Sequence, residues 1–480
     1  MGSIAVWPPA RRTLSFAGNV PAFSYTRVMA LTRRSFLQTT SMAAAFAAPL
    51  QALGQRLDAG LPALAAPGYG PLRAVKDATT GLPLLELPEG FRYLTFGWTG
   101  DALDDGRRTP PLHDGMAAFA GDNGRVVLVR NHEVGPAAAF GEPAYDPQAG
   151  GGTTTLIFDP SAERVVSMRA SLSGTIRNCA GGPTPWGSWL SCEETVAGPA
   201  DRNSAVLKAH GYIFEVPHNG VSDARPLTAM GRFVHEAIAV DPGTGIVYET
   251  QDRGQAGLYR FIPKTRGRLA DGGRLQMLAI EGRRQFDTRR GQSRGVVYDI
   301  DWVDIPEPDR AHVSAAAADG MGVLQQGLDR GGAVFSRLEG ATFGEGRLYV
   351  TATDAGEARM GQVWEIDPSR ERLRLVFESP GAGVLNMPDN LCLSPRGGLA
   401  LCEDGTDTPC VHGLTRDGKI SRFARNAVKL AGERSGLTGN FTGSEFAGAT
   451  YSPDGRWLFI NTQTPGITFA VTGPWGDGGL

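Results

Sequence analysis

The chain repeats one local pattern: an apolar run ends in a turn built around proline, and a second apolar run follows at once. Phe158-Asp159-Pro160 leads to Val165-Val166, and Val240-Asp241-Pro242-Gly243-Thr244-Gly245 leads to Ile246-Val247-Tyr248. Ile366-Asp367-Pro368 leads to Leu373, Leu393-Ser394-Pro395-Arg396-Gly397-Gly398 to Leu399, and Tyr451-Ser452-Pro453-Asp454-Gly455 to Trp457-Leu458-Phe459. Proline fixes φ at the first corner of a turn, and glycine or aspartate accepts the next. Each unit therefore predicts a β-hairpin. A second repeat, GYIFEVP at 211–217, GLYRFIP at 257–263 and GQVWEIDP at 361–368, sets a glycine before alternating bulky residues and a proline turn.

Hairpins that recur without recurrent helices predict an all-β fold. Radial repetition closes them without leaving long exposed edges, so the expected architecture is a β-propeller; six blades are expected, a number the repeats themselves do not set. A β-sandwich is the alternative. Irregular spacing requires loop insertions and short helical ones, and the stretch from Pro308 to Gly332 reads as helical. The chain has 65 Gly, 32 Pro and 41% hydrophobic residues, which fits a many-turned globular fold and excludes a disordered one. A formal charge of −3 gives no footing for nucleic acid or for a basic membrane patch.

Residues 1–52 read as a part removed from the working molecule. Thr32-Arg33-Arg34-Ser35-Phe36-Leu37 precedes an apolar, Ala-rich stretch from Met42 to Leu50, and Ala45-Phe46-Ala47 or Leu50-Gln51-Ala52 offers a small-residue cleavage site. That order is a twin-arginine signal peptide, with Met29 as the expected start. The apolar stretch is too short for a membrane anchor. Residues 53–90 form a Pro/Gly-rich lead-in, and 91–480 form a single propeller carrying the activity. The expected molecule is a periplasmic or secreted monomer that meets the twin-arginine export machinery.

Four predicted strands end in polar pairs: Cys192 runs into Glu193-Glu194, Thr250 into Gln251-Asp252, Thr351 towards Thr353-Asp354, and Cys402 into Glu403-Asp404. Equivalent positions on different blades point towards a common axis. Carboxylates gathered there repel one another, and cations are the usual remedy. Arg130-Asn131-His132-Glu133, His235-Glu236 and Ser444-Glu445 are further polar clusters in apolar surroundings. Arg337 and Glu339 share a face of an extended segment if side chains alternate. Five cysteines, Cys179, Cys192, Cys392, Cys402 and Cys410, leave at least one thiol unpaired in an exported protein. Signatures of zinc peptidases, serine hydrolases, P-loops and dinucleotide folds are missing.

The stretch GTIRNCAGGPTPWGSWLSCEE at 174–194 resembles the signature of the PhoX family of exported alkaline phosphatases. The resemblance continues through RNHE at 130–133, HE at 235–236, YRF at 259–261, RLEG at 337–340, MPDN at 387–390, EFAGATYSPDG at 445–455 and TGPW at 472–475. It implies a propeller phosphomonoesterase with an Fe(III) and Ca²⁺ centre. It implies Cys179 as a thiolate ligand to iron, with Glu194, Glu236 and Glu339 as carboxylate ligands. Arg337 would hold phosphate oxygens, and Glu194 and Glu236 would join it in catalysis. Glu193, Asn131, Glu133 and Asp252 are further candidates around the metals. Gln251 stands where the family often has Glu. The expected substrate is a small phosphate ester. A calcium-dependent lactonase or esterase, or an exported binding module without turnover, are the competing readings. The export route carries folded proteins, so iron would be inserted before export and calcium afterwards.

Overall fold

The proline turns form hairpins because an aspartate or serine before each proline caps the turn. Asp159 Oδ1 accepts the N–H groups of Ser161 and Ala162, Asp241 Oδ1 that of Gly243, and Asp367 Oδ1 those of Ser369 and Arg370. Ser394 Oγ accepts the N–H of Arg396 in the same way. Such local acceptors favour the turn over continued strand. The computed structural model describes residues 68–201, 204–314, 317–476 and 479–480. The twin-arginine motif and residues 1–52 lie outside the described residues.

The chain opens with β1 (Arg73–Val75), β2 (Leu85–Leu87) and β3 (Arg92–Phe96). A first blade follows: β4 (His113–Ala120), β5 (Val126–His132), β6 (Gly151–Asp159) and β7 (Arg164–Thr175). The second has β8 (Asn178–Pro183), β9 (Ser188–Glu193) and β10 (Ile213–Pro217). The third has β11 (His235–Val240), β12 (Val247–Gln251), β13 (Tyr259–Pro263) and β14 (Gly273–Ile280). Strand β15 (Val297–Asp304) then bridges outwards, and helix α1 (Gly322–Arg330) lies within the expected insertion. The fourth blade has β16 (Leu338–Gly344), β17 (Arg347–Ala352), β18 (Gln362–Asp367) and β19 (Arg372–Glu378). The fifth has β20 (Pro388–Leu393), β21 (Leu399–Glu403), β22 (Cys410–Leu414) and β23 (Ile420–Asn426). A small hairpin, β24 (Lys429–Ala431) and β25 (Thr438–Asn440), precedes β26 (Phe446–Tyr451), β27 (Leu458–Thr462) and β28 (Ile467–Thr472) of the sixth.

Among the described residues, β4, β8, β11, β16, β20 and β26 each contact the next, and β26 contacts β4. That closed ring of inner strands makes the architecture a propeller. Strand β3 pairs with β28, so the start of the domain completes the sheet made by its end. The expected lead-in also takes part where it is described: β2 pairs with β23 and β1 with β2, extending the fifth sheet. The core lies between blades. Alternate residues of one strand serve opposite interfaces: Ile238 and Val240 pack with the second blade, while Ala239 packs with the fourth. Both faces of such a sheet are buried, which is why these strands read as near-continuous apolar runs.

Candidate metal centre

The six inner strands share one irregularity. Each has a normally paired residue, then a break in which the inner strand advances three residues while its partner advances two. The last paired residues are His113, Asn178, His235, Leu338, Pro388 and Ala447. A bulge re-aims the side chain that follows. The residues that follow are Asp114, Cys179, Glu236, Glu339, Asp389 and, on the sixth strand, Gly448. Small neighbours let the strands approach: a Cβ on Gly115 would lie 2.6 Å from Ala180 Cα, and one on Gly340 would lie 2.6 Å from the Asp389 carbonyl oxygen. On the sixth strand, a Cβ at Gly448 would lie 2.5 Å from the Asp114 carbonyl oxygen, so no side chain fits.

These side chains meet. Ligand atoms of Asp114, Glu133 and Cys179 lie within 4.8 Å of one another, as do those of Glu236, Glu339 and Asp389. The Cys179 thiol joins the two groups, donating to Glu236 Oε1 at 3.1 Å and lying 3.7 Å from Asp114 Oδ2. Glu236 Oε2 is buried with no protein partner.

A second set comes from the adjoining strands. Glu133, Glu194, Asp252 and Asp404 each stand one residue past the last pair of the second strand in their blade. The N–H groups of Glu133, Glu194 and Asp404 donate at 2.9 Å to Leu112, Arg177 and Met387, the residues just ahead of the inner strands. Leu112, Arg177 and Met387, with Arg337, have φ between 40° and 57°. A left-handed residue with a side chain costs roughly 1–2 kcal/mol. The cost recurs at the same position in four blades because it turns the chain into the bulge. Two of the four are the cations of the site. Arg177 pairs with Glu133 at 3.2 Å and with Glu194. Arg337 pairs with Asp252 at 3.1 Å, Glu339 at 2.6 Å and Asp404 at 3.5 Å. Arg337 and Glu339 therefore meet through a left-handed turn and a bulge, not through the alternation of an extended segment.

Two guanidinium groups do not balance this many carboxylates. Burial, followed by neighbouring carboxylates, pushes the carboxyl groups of Asp114, Glu236 and Glu339 well above their ordinary range. Asp389 is pushed up to about 8 by burial and then by Asp404. Glu194 also rises to about 8, through burial and Glu133, although Arg177 opposes the shift. Half-buried Glu445, just ahead of β26, is raised by burial and by its contact with Asp404. Burial, Asp114 and Glu236 raise the Cys179 thiol. Protons hold the charge down here, and cations can replace them.

Of the sequence candidates, Cys179, Glu194, Glu236, Glu339, Glu133, Asp252 and Arg337 come together. Glu193 and Asn131 do not. Glu193 is fully buried inside its blade, accepting N–H groups from Ile176, Gly211 and Tyr212 and a hydrogen bond from His210. Asn131 donates to the carbonyls of Cys179 and Ala180 and accepts from Trp189 and Ser191. It holds the Cys179 backbone and has no atom left for a metal. Glu403 repeats the Glu193 latch, its two oxygens accepting from Asn386, Cys410 and His412, while His412 Nδ1 stays buried without a partner. All five cysteines are free thiols. Sequence reading passed over Asp114, Arg177 and the role of Asp389. The signal was an acid or thiol followed by a small residue: Asp114-Gly115, Cys179-Ala180, Glu236-Ala237 and Glu339-Gly340.

A family model described as alkaline phosphatase PhoX matches residues 67–168 and 153–466. No curated protein sequence matches significantly. Among solved structures, a gluconolactonase from Xanthomonas campestris is 13% identical, with 84% of this chain and 98% of that one covered and a TM-score of 0.42. Virginiamycin B lyase from Staphylococcus aureus is 11% identical, with coverages of 80% and 99% and a TM-score of 0.37. Likeness at this level bears on neither chemistry nor substrate.

Proposed function

The chain belongs to the PhoX family of alkaline phosphatases, and from that membership we propose that it is an exported, metal-dependent enzyme that hydrolyses phosphomonoesters and releases phosphate. The observation that carries the reading is the convergence of Asp114, Cys179, Glu236, Glu339 and Asp389 from equivalent bulges. Buried carboxyl groups in excess of the two guanidiniums, and the orphaned Glu236 Oε2, fit a site built for cations. The donor sets differ. Cys179 with Asp114 and Glu133 combines a soft thiolate with hard oxygens, which suits iron. Glu236, Glu339 and Asp389 offer oxygen alone, which suits calcium. When bound, such cations supply positive charge and Lewis acidity to a phosphoryl oxygen.

The chain's own groups bind and orient. Asp252, Glu339 and Asp404 hold Arg337 through Nε and one terminal nitrogen and fix its plane, which leaves the other terminal nitrogen to donate to phosphate oxygens. Glu194 holds Arg177 at the rim on the other side. Glu236 fixes the Cys179 sulfur through one oxygen and keeps the other for a cation. Phosphoryl transfer depends mostly on positioning and charge stabilisation, so no side-chain nucleophile is required. The test is turnover by purified protein of p-nitrophenyl phosphate beside a lactone and a carboxylate ester. Phosphate release is expected; turnover of the lactone or carboxylate ester with none of the phosphate would overturn the reading. Export through the twin-arginine route, with iron acquired before export, is part of the same proposal. Rerouting the chain through a path for unfolded proteins is expected to lower its iron content, and unchanged iron would contradict that order.

A further inference from the structure

A cavity of about 560 Å³ lies beside the centre, lined by Gly254, Asp287, Arg289, Arg290, Ser336, Asp354 and Arg359. Its place follows from chain connectivity. Ser336 is the neighbour of Arg337. Gly254 is two residues beyond Asp252, which pairs with Arg337. Asp354 follows Thr353, whose N–H donates to the Arg337 carbonyl at 2.9 Å. The cavity therefore adjoins the rim on the side of Arg337, between the third and fourth blades.

Its walls are held by polar contacts that leave cationic charge over. Ser336 Oγ donates to Asp354 Oδ1 at 2.5 Å. Arg289 grips Asp287 through Nε and a terminal nitrogen at 2.9 and 2.7 Å, and also donates to the Gly254 carbonyl. Arg359 pairs with Asp354 at 3.2 Å and keeps much of its guanidinium exposed. Arg290 is exposed, and its guanidinium has no ion pair or hydrogen bond among the described residues. Three guanidiniums face two carboxylates that are already engaged. A concave site with this balance attracts anions, and the arginine fork suits phosphate or carboxylate oxygens.

We propose that this cavity is a subsite for a second anionic group, a phosphate or carboxylate carried by the same small molecule whose phosphate ester is hydrolysed at Arg337. The proposal rests on the phosphatase reading and adds a preference to it: phosphate esters that carry a second anionic group over those that do not. The second group does not react. Water forms the new bond to the scissile phosphorus, the ester oxygen leaves with a proton, and the distal group stays intact on Arg290 and Arg359.

The test compares α,ω-alkanediol bisphosphates of increasing chain length, the matching ω-carboxyalkyl phosphates and the plain alkyl phosphates. The wild type is expected to favour one chain length of the esters with a second anionic group by ~10-fold or more in kcat/KM, through KM. Arg290→Gln, and Arg290→Gln with Arg359→Gln, are expected to abolish that preference while activity on p-nitrophenyl phosphate stays within about twofold. The bisphosphate and carboxylate series show which group the cavity takes. No preference in the wild type, or equal losses on all esters in the variants, would overturn the subsite. Calorimetry with butanediol bisphosphate separates the two claims. A wild type that hydrolyses no phosphate ester, yet binds this probe ~10-fold more tightly than the Arg290→Gln variant, would sink the phosphatase reading and keep the subsite. Equal binding by the two proteins would sink the subsite.

Discussion

Glu193 and Glu194 are neighbours in the chain and serve different structures. Glu193 closes a buried latch within its blade, and Glu194 faces Arg177 at the rim. Replacing a carboxylate that accepts three backbone N–H groups with an amide sets donor against donor. Glu193→Gln is therefore expected to lower unfolding stability by about 1–3 kcal/mol in denaturant titration. Glu194→Gln removes a partner of Arg177 but no backbone acceptor, so it is expected to cost less stability than Glu193→Gln in the same titration while phosphate-ester turnover falls. If the two substitutions exchanged effects, the assignment of the pair would be wrong. Arg337→Lys keeps the charge and loses the planar group that carboxylates orient on one edge while a terminal nitrogen faces phosphate, so kcat/KM should fall by ~100-fold on p-nitrophenyl phosphate; an unchanged value would show that the guanidinium does not hold phosphate. At this scale Cys179 was reached through the family resemblance of the stretch around it, since an odd count of five cysteines singles out no one thiol. The sequence was not legible for Glu193 against Glu194, because a shift of one position reverses the face a strand side chain takes.

The element that makes the centre is the bulge at the head of each inner strand. It sets a ligand side chain towards the axis in five blades, and in four of them a glycine or alanine follows the ligand. Gly340→Ala would put a Cβ 2.6 Å from the Asp389 carbonyl oxygen. It is expected to cost about 1–3 kcal/mol and to lower calcium content, since Glu339 and Asp389 are both displaced. Gly135→Ala, where a Cβ meets nothing within 4 Å, is the control and should be neutral in melts and metal analysis alike. Equal behaviour of the two variants would remove the bulge from the account. The hairpins themselves were readable, because Asp-Pro and Ser-Pro turns carry their own caps. The inner-strand bulges were not, since a bulge is defined by what the partner strand does, and the sequence shows one strand at a time.

Across the whole molecule, a ring of strands concentrates negative charge that only protons or cations can offset. The carboxyl groups of Glu194 and Asp389 rise from ordinary values of 4.5 and 3.8 to about 8 in the folded chain. A group whose folded pKa is raised binds its proton more tightly when folded. Its contribution to stability is complete below the unfolded pKa and is lost as pH rises through the folded one. Metal-free protein should therefore lose thermal stability steadily from about pH 5 to pH 8, and metal-loaded protein should not. A flat metal-free profile would mean that the cluster is charge-balanced by other means. The propeller was legible in the sequence from its recurrent hairpins. The strands contributed by Leu85–Leu87 and Arg92–Phe96 were not, because each pairs with a strand several hundred residues further on, and Arg73–Val75 joins the sheet only through Leu85–Leu87. The central claim is that the axial cluster is a working metal centre. The most direct measurement is elemental analysis paired with p-nitrophenyl phosphate turnover, on wild type and on Cys179→Ala, before and after chelation. Iron and calcium in the active wild type, loss of turnover on chelation, and loss of iron with turnover down by at least ~100-fold in Cys179→Ala are the predicted results. Full turnover in metal-free protein, or in Cys179→Ala without iron, would contradict it.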